Sequence, residues 1–444
     1  MNARPSRVRL RAYKVGFGDC LLLSVTYGSK LPDGRTERHI LFDCGSVSKA
    51  DDGPSLGDVA AQIEKHCGGQ LDAVVATHRH RDHIRGFGDR NAREAFDRLE
   101  PRIVIRPWTD VPEPERSDPQ HALDDNHRHF LGVLDQLPQQ SEALTGLAFD
   151  NAGLAKRAAR IAELGFKNPD AIALLEDWAK HGQAHYVTAG QVLDVEEQLP
   201  GISIRVLGPP TLNDVPELSR YAKESEEYWL GLAGTGELTP LVKQGDAQSL
   251  TRARRVLAPP GGVGAAEWLV RDLDERRISQ GFEIVEALDD VLNNTSVILL
   301  LTIGTKRLLM PGDAQVENWS FTLDQVDGSN HRALDAGLAD ALTRVDLYKV
   351  GHHGSRNATP KRLFRRWEQS GREIVSVLST KDHVFDKSVD GEVPKPELIT
   401  NLGKLGPVHS TQSLGASVWW MDLEASVRTK AKFTFTPGPP MAKP

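Results

Sequence analysis

The sequence predicts an α/β protein. Short β-rich runs fill both ends of the chain, and a block with helical periodicity lies between them. A dense histidine–aspartate run, His78-Arg79-His80-Arg81-Asp82-His83, follows directly on one of the strand-like runs. At 444 residues the chain is long for one core, so two or three domains, or one core with large insertions, are expected.

The composition, 39% hydrophobic and 26% charged, is that of an ordinary globular protein. No apolar stretch approaches the roughly 18–20 residues that span a bilayer, and the most apolar run, 297–302, fits a buried strand. Residues 1–16 carry arginines with no apolar segment behind them of signal-peptide type. A cytoplasmic protein with no membrane partner is expected. Cys20, Cys44 and Cys67 are odd in number and lack CxxC spacing, which argues against a disulfide framework or a zinc finger and for buried thiols. With a net charge of −7, any nucleic-acid partner needs a local basic cluster.

Taken in order, residues 8–13 alternate, 21–27 are apolar and β-rich, and 38–42 run into Asp43-Cys44-Gly45. Residues 71–76 form a buried-strand pattern that stops at the histidine run, and 103–105 form another. Residues 1–111 therefore read as the first half of a core. Residues 112–183 read as a helical insertion. Leu154, Ala158, Ile161 and Leu164 share one face ahead of Gly165, and Asn168-Pro169 opens a further helix striped by Ile172, Leu175 and Trp178. The core returns over 184–211, with a strand at 203–207 that ends in Gly208-Pro209-Pro210.

Residues 212–289 are mixed and polar, broken by Pro-Pro-Gly-Gly at 259–262 and carrying a helix over 268–273. They read as a second, lid-like insertion. Strands resume through the second half of the core, 290–436, at 296–302, 306–310, 346–350, 374–378 and 417–423. A cleanly alternating run, 427–435, sets Arg428, Lys430 and Lys432 on one face of an expected edge strand. The Pro-rich tail, 437–444, is expected to be disordered.

A strand ending at Ala76 leaves the histidine run in a loop at the strand's carboxyl edge, where ligands gather in α/β proteins. Imidazole and carboxylate together suit zinc, manganese or iron, and the lack of thiolate argues against a purely structural zinc site. His78 and His80, two apart in extended chain, can project to one side. Asp82 and His83, beyond a turn, can serve a second ion. Two-ion sites of this kind hold a bridging hydroxide between ions roughly 3.5–4 Å apart. The competing reading is a solvated His/Arg-rich loop, but chance seldom places four potential ligands straight after a buried strand.

The HxHxDH run resembles the signature of the metallo-β-lactamase superfamily, and further landmarks follow in order. Asp43 ends a strand as in that family's first motif. Pro311-Gly312-Asp313 looks like its strand-end Gly-Asp, and Lys349-Val350-Gly351-His352-His353-Gly354-Ser355 resembles its later histidine motif. Gly16-Phe17-Gly18-Asp19 and Asn293-Asn294-Thr295-Ser296 sharpen the likeness to the ComEC-type metallo-hydrolase domain in a free-standing form. The resemblance spans about 8–105 and 186–417, excluding 212–289. It implies a four-layer αβ/βα sandwich and a dinuclear hydrolase.

What the resemblance implies for the site can be stated residue by residue. His78 and His80 would hold one ion, Asp82 and His83 the other, and Asp313 would bridge them. One of His352 or His353 completes the second site. Asp19, Asp43, Asn294 and Ser296 would support the ligands from behind. Members often supply a further histidine to the first ion, for which His121, His127, His129, His181 and His185 are candidates without a recognisable context. Lys349 and Arg356 cannot ligate while protonated, and read as structural or substrate-facing.

Arg79, Arg81 and Arg85 stand within and just after the run, where guanidinium groups favour a phosphate or carboxylate substrate. Pairing with local acids such as Asp89 is the equal alternative. Ser355, Lys381 and His383 complete the candidate substrate contacts, with His383 also the candidate proton donor beside Asp82; His409 is a weaker counterpart. The expected function is a phosphodiesterase or nuclease with two divalent ions, zinc or manganese. Hydrolysis of an amide, ester or thioester is the second reading. A non-catalytic metal-binding module that docks a protein partner through its insertions is the third.

Overall fold

In the computed structural model the described residues are 4–121, 123–146, 152–164, 168–215, 285, 288–355, 357–382, 384 and 393–441. They fall into two compact units. One comprises Met1–Leu123, Asn168–Val215 and Leu292–Pro444, and the other Asp124–Lys167 and Pro216–Val291.

The second unit contains two helices, Asp125–Thr145 and Ala152–Leu164. Asp124 caps the first, its carboxylate accepting from the His127 amide at 3.0 Å. Leu154, Ala158 and Ile161 are buried along the second, as the periodicity predicts. The break at 259–262 and the helix expected at 268–273 lie outside the described residues.

The first unit is a sandwich of two sheets. The eight-stranded sheet runs β15-β14-β1-β2-β3-β4-β5-β6 and the seven-stranded sheet β13-β12-β11-β10-β9-β8-β7. The strands are β1 Pro5–Tyr13, β2 Leu21–Tyr27, β3 Glu37–Phe42, β4 Ala73–Val75, β5 Ile103–Pro107, β6 Gln183–Val187, β7 Val192–Leu193 and β8 Ile202–Gly208. They continue with β9 Ile298–Ile303, β10 Lys306–Met310, β11 Leu347–Lys349, β12 Val375–Leu378, β13 Val408–Ser410, β14 Trp420–Ser426 and β15 Thr434–Pro437. Each sheet has a parallel half, β3 to β6 in one and β10 to β13 in the other.

Side-chain alternation explains why the strands read as continuous apolar runs. Leu23, Ile40, Val75 and Ile105 point inward and meet Ile204, Leu299, Leu308, Leu347 and Val377 of the other sheet. Their neighbours Leu22, Leu41, Val74 and Val104 point outward onto Val59, Ile63, Phe96 and Trp178. Leu300, Leu309 and Tyr348 point outward onto Trp319, Leu323, Leu342 and Trp367. Helices therefore cover both outer faces, giving the four layers. Each fully buried Val, Leu or Ile contributes about 1.5–3 kcal/mol.

Several sequence expectations shift. Helix Pro169–His181, expected inside the helical insertion, buries Ala171, Leu174, Leu175 and Trp178 against the first sheet. The excursion from the first unit thus begins at Asp124 and ends at Lys167. Residues 427–433 are not a strand: β14 stops at Ser426 and β15 starts at Thr434. The alternation there records two anchors, Val427 and Phe433, sunk into the core between the sheets. The Val427 carbonyl also accepts from the Thr305 amide at 2.8 Å. Within the Pro-rich tail, the Gly438 amide donates to the Trp420 carbonyl and the Met441 amide to that of Ser417. Cys20, Cys44 and Cys67 are buried and unpaired, as expected. Among the described residues no helix is long and apolar enough to cross a membrane.

Candidate metal centre

The parallel strands deliver the site residues from their carboxyl ends. β3 runs into Asp43, β4 into Thr77 and His78, β10 into Asp313, and β11 into Lys349 and then His353. The two sheets meet there through the Thr77 carbonyl, which accepts from the Val297 amide at 2.9 Å.

Asp82, His83, Asp313 and His353 converge, with one donor atom from each lying within 4.8 Å of the others. His83 Nε2 is 3.1 Å from Asp313 Oδ2. His353 Nε2 is 3.1 Å from Asp82 Oδ2 and 3.5 Å from Asp313 Oδ2. Both rings are aimed from behind. His353 Nδ1 donates to the Ser379 carbonyl at 2.9 Å, and His83 Nδ1 lies 2.8 Å from Asp43 Oδ2. Each Nε2 is thereby left to face the cluster, the arrangement that fixes a histidine for metal ligation. The ring of Phe17 packs on His353 at 4.2 Å between centroids.

Asp43 has a left-handed backbone, φ 52°, which aspartate tolerates better than most residues. Its Oδ1 accepts from the Thr77 amide at 2.8 Å and its Oδ2 from the Thr77 hydroxyl at 2.7 Å. His352 and His353 are also left-handed, at φ 44° and 50°, a local strain of the kind that clusters at functional sites. This turn separates the two histidines. His353 enters the cluster, whereas His352 gives its backbone amide to Asp313 Oδ1 at 3.0 Å.

The electrostatics fit a cation. Burial alone would depress His83, but Asp313, Asp43 and Asp82 outweigh it and raise its pKa well above the usual value. His353 is raised against burial by Asp313, Asp82 and Asp19. Burial would likewise raise the carboxyls, yet His83 and His353 hold Asp313 well below the usual range and Asp82 at about 2. Two carboxylates and two imidazoles without thiolate form a donor set suited to zinc, manganese or iron.

His78 and His80 form a pair beside this cluster, Nε2 to Nδ1 at 3.0 Å. Burial, with His83 and His80, drives the His78 pKa well below normal, which favours the neutral imidazole. No third histidine or carboxylate converges with the pair among the described residues. His121 faces Tyr186 and Glu115, and His181 pairs with Asp177. His185 is depressed by burial, against the pull of Asp194. His127 pairs with Asp124 in the other unit, where His129 is exposed.

The remaining predicted residues separate clearly. Arg79 is a structural cation: its Nε lies 2.5 Å from Asp110 Oδ1, and Nη2 donates to the Thr109 carbonyl. Lys381 pairs with Asp51 and the Lys49 carbonyl. Ser355 donates to Asn357. Asn294 and Ser296 hold the start of helix Val316–Asp327, through Glu317 and Asn318. Arg81 and Arg85 are half-buried, and among the described residues Arg85 donates to the Ser46 carbonyl alone, at 3.5 Å. Asp19 enters beside Asp43 and His83, paired with Lys349. His383 and Arg356 lie outside the described residues. Thr77, Ser379 and Asp110 were not singled out from sequence. Thr77 and Ser379 act largely through backbone groups, and Asp110 is distant in sequence from its arginine.

No protein-family model matches the chain, and no curated protein matches it in sequence. Among solved structures it is similar to the metallo-β-lactamase fold protein YhfI from Bacillus subtilis, at 10% identity and a TM-score of 0.34, over 90% of this chain and 96% of that one.

Proposed function

We propose that the chain is a metal-dependent phosphodiesterase, either a nuclease or an enzyme of smaller phosphodiesters, working with two divalent ions of zinc or manganese in the cytoplasm. The convergence of Asp82, His83, Asp313 and His353 carries this reading. His78 and His80 would hold the second ion. When bound, such ions supply Lewis acidity and lower the pKa of water, so no Ser or Cys nucleophile is required.

The chain's own residues set the direction of approach. The side chain of Asp82 is 15% exposed while those of His83, Asp313 and His353 are 2% or less, so substrate enters past Asp82. Asp82 is ionised across the neutral range, and it accepts a hydrogen bond from, and so orients, an incoming water. Arg81 and Arg85 share its short helical turn, and neither meets a carboxylate among the described residues. Like charges four apart repel, and phosphate oxygens would relieve that repulsion as charge-assisted acceptors.

Metal-freed protein should be reloaded with zinc or manganese and assayed on bis-p-nitrophenyl phosphate, single-stranded and duplex DNA, and RNA, beside lactam and thioester panels. Turnover of a phosphodiester that disappears in Asp313→Ala is the expected result. Turnover confined to thioesters or lactams rejects the substrate class. A fully effective Asp82→Ala in the cell points instead to a non-catalytic docking module.

A further inference from the structure

His83 lies between two groups of carboxylates. On its Nε2 side is the cluster with Asp82, Asp313 and His353. On its Nδ1 side lie Asp43 Oδ2 at 2.8 Å and Asp19 Oδ2 at 3.8 Å, and Asp19, Asp43 and His83 also bring donor atoms within 4.8 Å of one another. By donor count alone, either side could attract a cation.

Lys349 distinguishes the two sides. It is one of the largest fully buried side chains of the protein, an uncommon state for lysine. Its ammonium contacts Asp19 Oδ2 directly and lies 3.8 Å from Asp313 Oδ1. Both oxygens of Asp43 are already taken, by Thr77 and by His83. Asp19 is 1% exposed, and among the described residues its Oδ1 has no hydrogen-bond donor, with His353 Nδ1 4.0 Å away. Lys349 is therefore the cation that offsets Asp19.

Asp313 shows the same division. Its Oδ1 is held by the His352 amide and faces Lys349, while its Oδ2 faces His83 and His353. We propose that Lys349 is a positioning residue for the metal centre: its ammonium is a resident counter-cation for the Asp19–Asp43 side of His83 and confines divalent ions to the opposite, Nε2 side. A lysine serves this role because it is a compact point charge that carries its own counter-charge without needing coordination. Removing it leaves a buried carboxylate uncompensated, which strongly favours uptake of another cation.

This role rests on reading the four-donor cluster as a cation site, and equilibrium dialysis of the full chain against zinc and against manganese tests the two separately. Lys349→Met is expected to bind one equivalent more than wild type, and Lys349→Arg to return to the wild-type count. If Lys349→Met folds only with added metal, that dependence supports the role. Asp19→Asn/Lys349→Met, with both partners neutral, should then fold metal-free and show the wild-type count. A Lys349→Met protein that folds and binds no more than wild type overturns the role, as does a double variant that keeps the extra equivalent. So does a Lys349→Met protein that stays unfolded in saturating metal. A purely structural lysine would change stability without changing stoichiometry. Wild type that binds no metal instead defeats the reading of the four-donor cluster.

Discussion

Asp43 Oδ2 lies 2.8 Å from His83 Nδ1, and the same carboxylate is clamped by the amide and hydroxyl of Thr77. The end of β3 thus sets the direction of a ligand that follows β4. Loss of a partner behind a metal-bound histidine typically costs about 10–100-fold in affinity. Asp43→Asn keeps the shape and the left-handed preference but removes the charge that supports His83. Chelator competition should show metal affinity falling within that range with the fold intact, and unchanged affinity would refute the coupling.

The left-handed turn at His352 and His353 assigns them different tasks, so their variants should behave differently. His353→Ala removes a donor atom, and metal affinity should fall by roughly 100-fold or more. His352→Ala keeps the backbone amide that holds Asp313 and should bind metal close to wild type in the same titration. Equal losses in both variants would contradict the assignment.

Much of this site was legible in the residues before the fold was known. The histidine run, Asp313 and the His352-His353 pair each follow a recognisable strand, and strand ends converge on one sheet edge. What was not legible depends on backbone and distance. The choice of His353 follows from two positive φ values. Arg79 reads like its neighbours Arg81 and Arg85 until Asp110 is brought to it. The alternation of Val427 and Phe433 imitates a strand because two anchors in an irregular segment can share the period of one.

Metal should also stabilise the fold, because the four converging donors would not be held together in an unfolded chain. An ion present at about 100 times its Kd adds roughly 2.7 kcal/mol. Thermal unfolding with zinc or manganese should therefore occur at a higher Tm than after dialysis against a chelator. The difference should vanish in Asp313→Ala. A chelator-independent Tm in the wild type would mean that the cluster holds no ion.

Away from the centre, two histidines make stability depend on pH. Burial pushes His39 down to about 4, helped by Arg9, Arg35 and Arg38 against Glu37, and burial with Arg11 and Arg9 pushes His66 down to about 3. An unfolded histidine titrates near 6.5, so below that value the unfolded chain binds more protons. Stability is complete above about pH 6.5 and falls as pH drops toward 4 for His39 and 3 for His66. Urea midpoints should decline across this window, and His39→Gln/His66→Phe should decline less steeply. An equal slope in the variant would show that other groups govern acid sensitivity.

Arg79 and Arg81, two residues apart in the histidine run, should fail in opposite ways. Arg79 pairs with Asp110, which is 3% exposed and is shared with Arg106. Its guanidinium holds Asp110 below the usual carboxylate range against the pull of burial. Hydrogen bonds to charged groups of this kind contribute about 1.5–3 kcal/mol, so Arg79→Ala should lower the urea-derived stability by about that much. Arg81 meets no carboxylate among the described residues, and its pKa is lowered by burial and by Arg85. Arg81→Ala should leave stability near wild type or raise it, because a like-charge pair is removed. Its effect should appear as a raised KM for a phosphodiester, with a further rise in Arg81→Ala/Arg85→Ala. A stable double variant with unchanged KM would show that these arginines do not touch substrate.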